Sequence, residues 1–155
     1  MIYDSDKHIL KDAEDYQVIL HLVSTKGIMP QGVGMAISKQ FPQWYQEYRG
    51  YCGWFTKDGA MNFSGKDHTD EIIGSWHRYQ VPERNIIICS AFGQHGGGKE
   101  YVQIDLDAWD KILRKLVNQT KYVNQKQNNK WTIHIPSNIG IVGKEGDNTE
   151  LMELF

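Results

Sequence analysis

Cysteine is scarce in this sequence: Cys52 and Cys89 stand alone and far apart in 155 residues. At that spacing they frame neither a disulfide scaffold nor a Cys-x-x-Cys zinc site. The expectation is two reduced thiols and no bound metal or cofactor. No apolar run approaches the ~20 residues that cross a bilayer. The opening MIYDSDKHIL has aspartates where a secretory leader has a basic region and then an apolar core. Both absences predict a cytoplasmic protein with no membrane partner. An excess of one charge is missing too, with 17 Lys and Arg against 19 Asp and Glu and a net charge of −2. That overall balance favours no nucleic-acid partner. No repeat and no shift of composition divides the chain. With 40% hydrophobic and 12% aromatic residues, residues 1–155 read as one domain large enough to bury a core.

What is present is organised around Val18 to Ala36, VILHLVSTKGIMPQGVGMA. The run Val18 to Val23 has the length and composition of a strand buried on both faces. Small, polar and kinked residues follow, and then Ile37, Phe41, Trp44 and Tyr48 recur at helical spacing, with Pro42 predicted to kink or divide the helix of residues 33–49. Ile2 and Tyr3 suggest an edge strand. Residues 50–70 hold four glycines and no period, which suggests a loop or insertion whose aromatics pack down on the body. Ile72 to Val81 and Ile86 to Phe92 read as two strands around the turn Pro82 to Asn85. The glycine-rich Gly93 to Lys99 reads as a loop. Asp105 or Asp107 is placed to cap a helix whose apolar stripe is Trp109, Ile112, Leu113, Leu116 and Val117. Thr120 to Lys130 reads as a solvated connection, and Trp131 to Ile135 as a third interior strand.

Three apolar strands thus each end in a loop rich in glycine, amide or hydroxyl groups. In an open α/β sheet such loops converge beyond the carboxyl ends of the strands and form one site. A strand, a glycine-rich loop and a helix N-terminus together bring backbone amides around an anion; the same glycines also serve a tight turn that binds nothing. Gly93-x-x-x-x-Gly98-Lys99 fits most of a nucleoside-triphosphate loop, yet Glu100 stands where magnesium needs a Ser or Thr hydroxyl. His21 and His134 lie within apolar strands, the setting of hydrogen-bonded structural histidines. His95 sits in the glycine segment, where an imidazole can move a proton near neutral pH. Asp147 is first of all a helix N-cap candidate.

Two segments resemble the ligand loops of macro domains. HLVSTKGIMPQGVGMAI is similar to a strand ending His-x-x-Asn followed by Gly-x-Met-Gly-x-Gly-Ile-Ala. IHIPSNIGIVGKEGDN is similar to a strand ending in proline, then Ile-Gly-x-Gly and a downstream Gly-Asp. Between them, AFGQHGGG before an Asp-capped helix resembles the branch of ADP-ribose-1''-phosphate phosphatases and ADP-ribosyl-ester hydrolases. The resemblance covers most of residues 7–150 except 50–70. It implies a three-layer α/β/α fold on a mixed sheet, here without the family's last strand, and a cleft for ADP-ribose or a derivative. An uncovered sheet edge would then be filled by the N-terminal segment, by residues 50–70 or by self-association.

Carried over, Gly27, Met29, Gln31, Gly32, Val33 and Gly34 would line the distal ribose and diphosphate. Pro136, Ser137, Asn138, Gly140, Ile141, Val142 and Gly143 would close from the other side. His8 occupies the place of the aspartate that commonly reads adenine, and Ser24 that of the ribose-orienting asparagine. Pro30 replaces a loop glycine, Val142 the second glycine of Ile-Gly-x-Gly, and Lys144 an acidic residue of one esterase branch. The implied activity is hydrolysis of a phosphoester or ester at the distal ribose. His95, His21, Ser24 and Asp147 are the catalytic candidates, His95 first for proton transfer. The alternative is a non-catalytic binder or sponge of ADP-ribose-like nucleotides.

Overall fold

The computed structural model describes residues 2–5, 13–25, 27, 33–53, 72–95 and 103–136. They form one six-stranded sheet. The strands are β1 (Ile2–Ser5), β2 (Gln17–Ser24), β3 (Trp76–Gln80), β4 (Ile86–His95), β5 (Gln103–Ile104) and β6 (Thr132–Pro136), and the helices α1 (Val33–Gln40), α2 (Pro42–Tyr51) and α3 (Leu106–Gln127). Spatial order is β1-β6-β2-β4-β3, with β5 paired to the end of β4. The β1–β6, β6–β2 and β2–β4 pairs are parallel, while β3 and β5 run antiparallel to β4. The N-terminal segment therefore occupies the edge beside β6, one of the three occupants expected there.

Alternation along β2 divides the core. Val18, Leu20 and Leu22 pack with Cys89, Ala91, Ile133 and Ile135 under Trp109, Ile112, Leu113 and Leu116 of α3. Ile19 and Val23 face the opposite way, with Ile86, Ile88 and Phe92, against Ile37 of α1 and Trp44 and Tyr48 of α2. Helices on both faces explain why β2 is a continuous apolar run rather than an alternating one. The result is the three-layer α/β/α arrangement.

Proline divides the first helical pattern in two. Phe41 N–H closes α1 on the Ile37 carbonyl (2.7 Å), and Pro42, with no N–H to continue the ladder, starts α2 at its first position. Asp105 caps α3 by accepting from Ala108 N–H at 2.9 Å.

Three boundaries differ from the sequence reading. The third strand begins at Trp76 rather than Ile72, because Gly74 (φ 86°) and Ser75 close a turn in which Ser75 N–H donates to the Ile72 carbonyl at 2.9 Å. Helix α3 runs through Thr120 to Gln127, where a solvated connection was expected. Thr120 is buried and returns its hydroxyl to the Leu116 carbonyl (2.8 Å), so the polar-looking segment still has an inward face. Asn128 ends the helix in a left-handed conformation (φ 55°). Finally, β4 carries on through Gly93 and Gln94 to His95 by pairing with β5. Residues 54–70 of the expected insertion lie outside the described part.

Replacing Asp105 by alanine removes the α3 cap, and the expected loss is about 1 kcal/mol. Urea unfolding of the two proteins measures it; an unchanged midpoint would show that the cap contributes nothing.

Candidate functional site

Strands β6, β2 and β4 are parallel neighbours, so their carboxyl ends, Pro136, Ser24 and His95, lie along one margin of the sheet. The chain leaving β2 enters α1 and α2 on one face, and the chain leaving β4 enters α3 on the other. Adjacent parallel strands whose exits diverge in this way open a crevice beyond their ends. Pairing of β2 with β6 stops at Ile19 and His134, and the β2–β4 register shifts between Val23 and Ser24. That shift skips Gly93, where a Cβ would come within 2.9 Å of Leu22 Cδ2. Irregular pairing of this kind recurs beside active sites, where it re-aims side chains.

The floor of the crevice is polar yet buried. Ser24, Thr25 and Gln94 are all withdrawn from solvent where β2 and β4 end, and each is engaged by other groups. The Ser24 carbonyl gathers three donors: the Tyr48 hydroxyl, Gly27 N–H at 3.4 Å and the Cys52 thiol at 3.9 Å. Burial raises the Tyr48 pKa well above its ordinary value, so the phenol stays a donor. Gly27 has a φ of 73°, a conformation that favours glycine. Helix α1 follows with no acidic residue in its first turn, and Gly34 is buried. Its N-terminal end therefore bears partial positive charge without a competing carboxylate in that turn.

Beneath this floor a polar row crosses the sheet. Ser90 of β4 is in register with His21 of β2 on one side and with His77 of β3 on the other. His21 Nε2 lies 2.8 Å from Ser90 Oγ, and Trp44 Nε1 donates to the same oxygen at 3.0 Å. An indole N–H can only donate, so the Ser90 hydroxyl proton is available for His21 Nε2. We assign the imidazole proton to Nδ1 on that ground. His21 Nδ1 has no hydrogen-bond partner among the described residues. Burial, reinforced by the charge of His77, pushes the His21 pKa down to about 3. His77 itself is lowered by burial, with Glu47 3.6 Å away opposing the shift.

The candidates from sequence thus separate. Ser24, Gly27, Gly34 and Pro136 sit at or near the strand ends, as do the backbones of Val33 and His95. His95 is strand rather than loop, its backbone held against Gln103. His21 lies within the core as the hydrogen-bonded structural histidine that its apolar strand suggests, with its imidazole buried and its basicity low. His134 is the second such histidine, with Nε2 2.8 Å from Thr132 Oγ1. His8, Met29, Gln31, Gly32, Ser137, Asn138, Gly140, Ile141, Val142, Gly143 and Asp147 lie outside the described residues. Tyr48, Cys52 and Ser90 were missed. The spacing Trp44, Tyr48, Cys52 does mark one helix face, but nothing in it shows that this face grips the turn after β2.

Both cysteines are buried and unbridged, and burial pushes the Cys89 thiol up to about 12. Among the described residues no cluster of His, Cys, Asp and Glu could hold a metal ion, and no helix is long and apolar enough to cross a membrane.

The buried row makes stability depend on pH. Between pH 6.5, where an ordinary histidine titrates, and about 3, the unfolded chain holds a proton at His21 that the folded chain refuses. Stability must therefore fall as pH falls through that window, by roughly 1.4 kcal/mol per pH unit for this group alone. Urea midpoints of the wild type and His21→Gln at pH 7 and pH 4.5 check this. The wild type should lose more on acidification; equal losses would remove His21 from the account.

No protein-family model matches the sequence, and no match appears among curated proteins. Solved structures do resemble it. A protein of unknown function from Bacteroides thetaiotaomicron superposes with a TM-score of 0.63 at 18% identity, over 100% of this chain and 89% of the other. The macrodomain of Thermus aquaticus DarG gives 0.60 at 18% identity, over 99% and 89%. Thermosipho africanus DarTG, solved in complex with ADP-ribose, gives 0.50 at 13% identity, over 78% of this chain and 38% of the other. With the layer order and the strand-end crevice described above, these likenesses establish that the chain has the macrodomain fold.

Proposed function

We propose that the chain binds ADP-ribose or a close derivative in the crevice beyond β6, β2 and β4, and hydrolyses a phosphoester or ester at the distal ribose. The observation that carries this reading is the junction of β2 and β4, with its shifted register, its buried polar floor of Ser24, Thr25 and Gln94, and a helix N-terminus without a first-turn carboxylate. The Thermosipho africanus protein, solved with ADP-ribose, supports the ligand class. The first loop, Gly27, Met29, Gln31 and Gly32 into Val33 and Gly34, offers amides to the diphosphate. The second, Pro136 to Asn138 and Gly140 to Gly143, closes over it. Glycines let backbone approach phosphate oxygens without a Cβ in the way. His8 bears on the choice of base.

For a 1''-phosphate substrate, water attacks phosphorus and the bond from phosphorus to the ribose oxygen breaks. The ribose oxygen leaves with a proton, and inorganic phosphate and ADP-ribose are the products. His95 is the group we assign to that proton transfer, since its backbone stands at the end of β4 and an imidazole titrates in the working range. Ser24 and Asp147 are the further candidates for positioning that water.

Two measurements test the proposal. Calorimetry should detect ADP-ribose binding by the wild type and none by Gly32→Glu, which puts a carboxylate directly ahead of α1. Equal affinities would take the first loop out of the site. His95→Ala should slow phosphate release from ADP-ribose-1''-phosphate by roughly a hundredfold while ADP-ribose affinity stays within a few-fold. Tight ADP-ribose binding by a wild type that releases phosphate no faster than buffer would make this a binding module.

A further inference from the structure

At the opposite end of the sheet, where β2 and β4 begin and α3 finishes, there is a cavity of about 150 Å³. Val18, Ile87, Leu116 and Trp131 give it apolar walls, and Arg78 and Gln119 stand among them. Neither sequence motifs nor the proposed nucleotide site account for it.

Arg78 projects from β3 on the α3 side and is exposed. It makes no hydrogen bond or ion pair among the described residues. Arg84 and Arg114, in contrast, are each paired with an aspartate at 3.0 and 2.9 Å. Among the described residues no Asp or Glu lines the cavity. The uncompensated charge there is a guanidinium, whose planar fork matches a carboxylate.

The apolar wall is held in place before any ligand arrives. Asn124 clasps Trp131 through both backbone groups, accepting from its N–H at 2.8 Å and donating to its carbonyl at 3.0 Å. The Tyr16 ring meets Trp131 edge-on, with centroids 5.4 Å apart. Val18 and Leu116 are core residues fixed by the β2–α3 packing. The Thr120 hydroxyl is committed to the Leu116 carbonyl. Such pre-organisation lowers the cost of binding.

Size then selects among anions. The volume, about 150 Å³, is that of a cavity able to hold one benzene ring, and its apolar walls are joined by Arg78, Gln119, Thr120 and Gln127. A bare phosphate would find a single cation and gain nothing from the walls; a long alkyl chain would not fit. We propose that this cavity is a second binding site, for a small aryl carboxylate whose ring lies against Trp131, Leu116, Val18 and Ile87 and whose carboxylate pairs with Arg78.

The probes are benzoate, benzyl alcohol, which keeps the ring without the charge, and acetate, which keeps the charge without the ring. Titrations followed by amide NMR shifts should show benzoate binding at least tenfold more tightly than either. Arg78→Met leaves the core untouched, because the side chain is exposed, and should bring benzoate down to the level of benzyl alcohol. Val123→Trp, which fills the cavity from α3, should abolish the binding of both aromatic probes. Benzoate binding no tighter than acetate, or unchanged by Arg78→Met, overturns the proposal. ADP-ribose is titrated in parallel; its failure to bind would count against the nucleotide site and leave this one standing.

Discussion

The Ser24 carbonyl is the point on which the strand-end architecture depends. Strand β2 must stop being sheet there, and the chain must turn toward α1 across a buried surface. A buried carbonyl at the end of a strand is costly to leave unmet. Helix α2 meets it with the Tyr48 hydroxyl and the Cys52 thiol, while Gly27 returns from the turn itself. Tyr48 can lie so deep because its ring stacks on Trp44 at 5.4 Å and near Phe92 at 6.0 Å. The hydroxyl that meets the Ser24 carbonyl thus belongs to a ring that also fills the core, which couples the end of β2 to the packing of the helix layer.

The same face contains the row His21, Ser90 and His77, and such a row is not there for stability alone. A buried polar network is no better than an apolar one of equal volume unless every group is met, and His21 Nδ1 has no hydrogen-bond partner among the described residues. Its physical effect is on register. Trp44 can donate to Ser90 only if α2 sits at one height over the sheet, and Ser90 reaches His21 only in the observed β2–β4 alignment. Apolar side chains slide past one another at little cost; these do not.

Much of the fold was legible because burial on two faces writes itself as uninterrupted apolar runs. Val18 to Val23, Ile86 to Phe92 and Trp131 to Ile135 could hardly be anything but interior strands, and Pro42 announced its helix break. Helix α3 past Thr120 was illegible, since a long surface helix needs only one residue in three or four to face inward and TKYVNQKQNNK looks solvated. The end of β4 was hidden because Gly93 belongs there for want of space beside Leu22, a tertiary reason with no local signature. Resemblance alone gives the site its two loops, most of whose residues lie outside the described part. Its floor was not legible, because the role of Ser24 lies in its backbone oxygen, which every residue has.

Register also ties the two ends of the molecule together. Strand β3 alternates, with His77 and Tyr79 toward α2 and Trp76 and Arg78 toward α3. A slip of one residue against β4 would turn Arg78 toward α2 and His77 toward α3. That slip would take His77 away from Glu47, 3.6 Å from it, and displace Tyr79 from the core beneath α2. One edge strand is thereby locked from its buried side, without any need for a partner on its outer side. The register that sets His77 beside Glu47 is also what turns Arg78 toward the cavity on the α3 side.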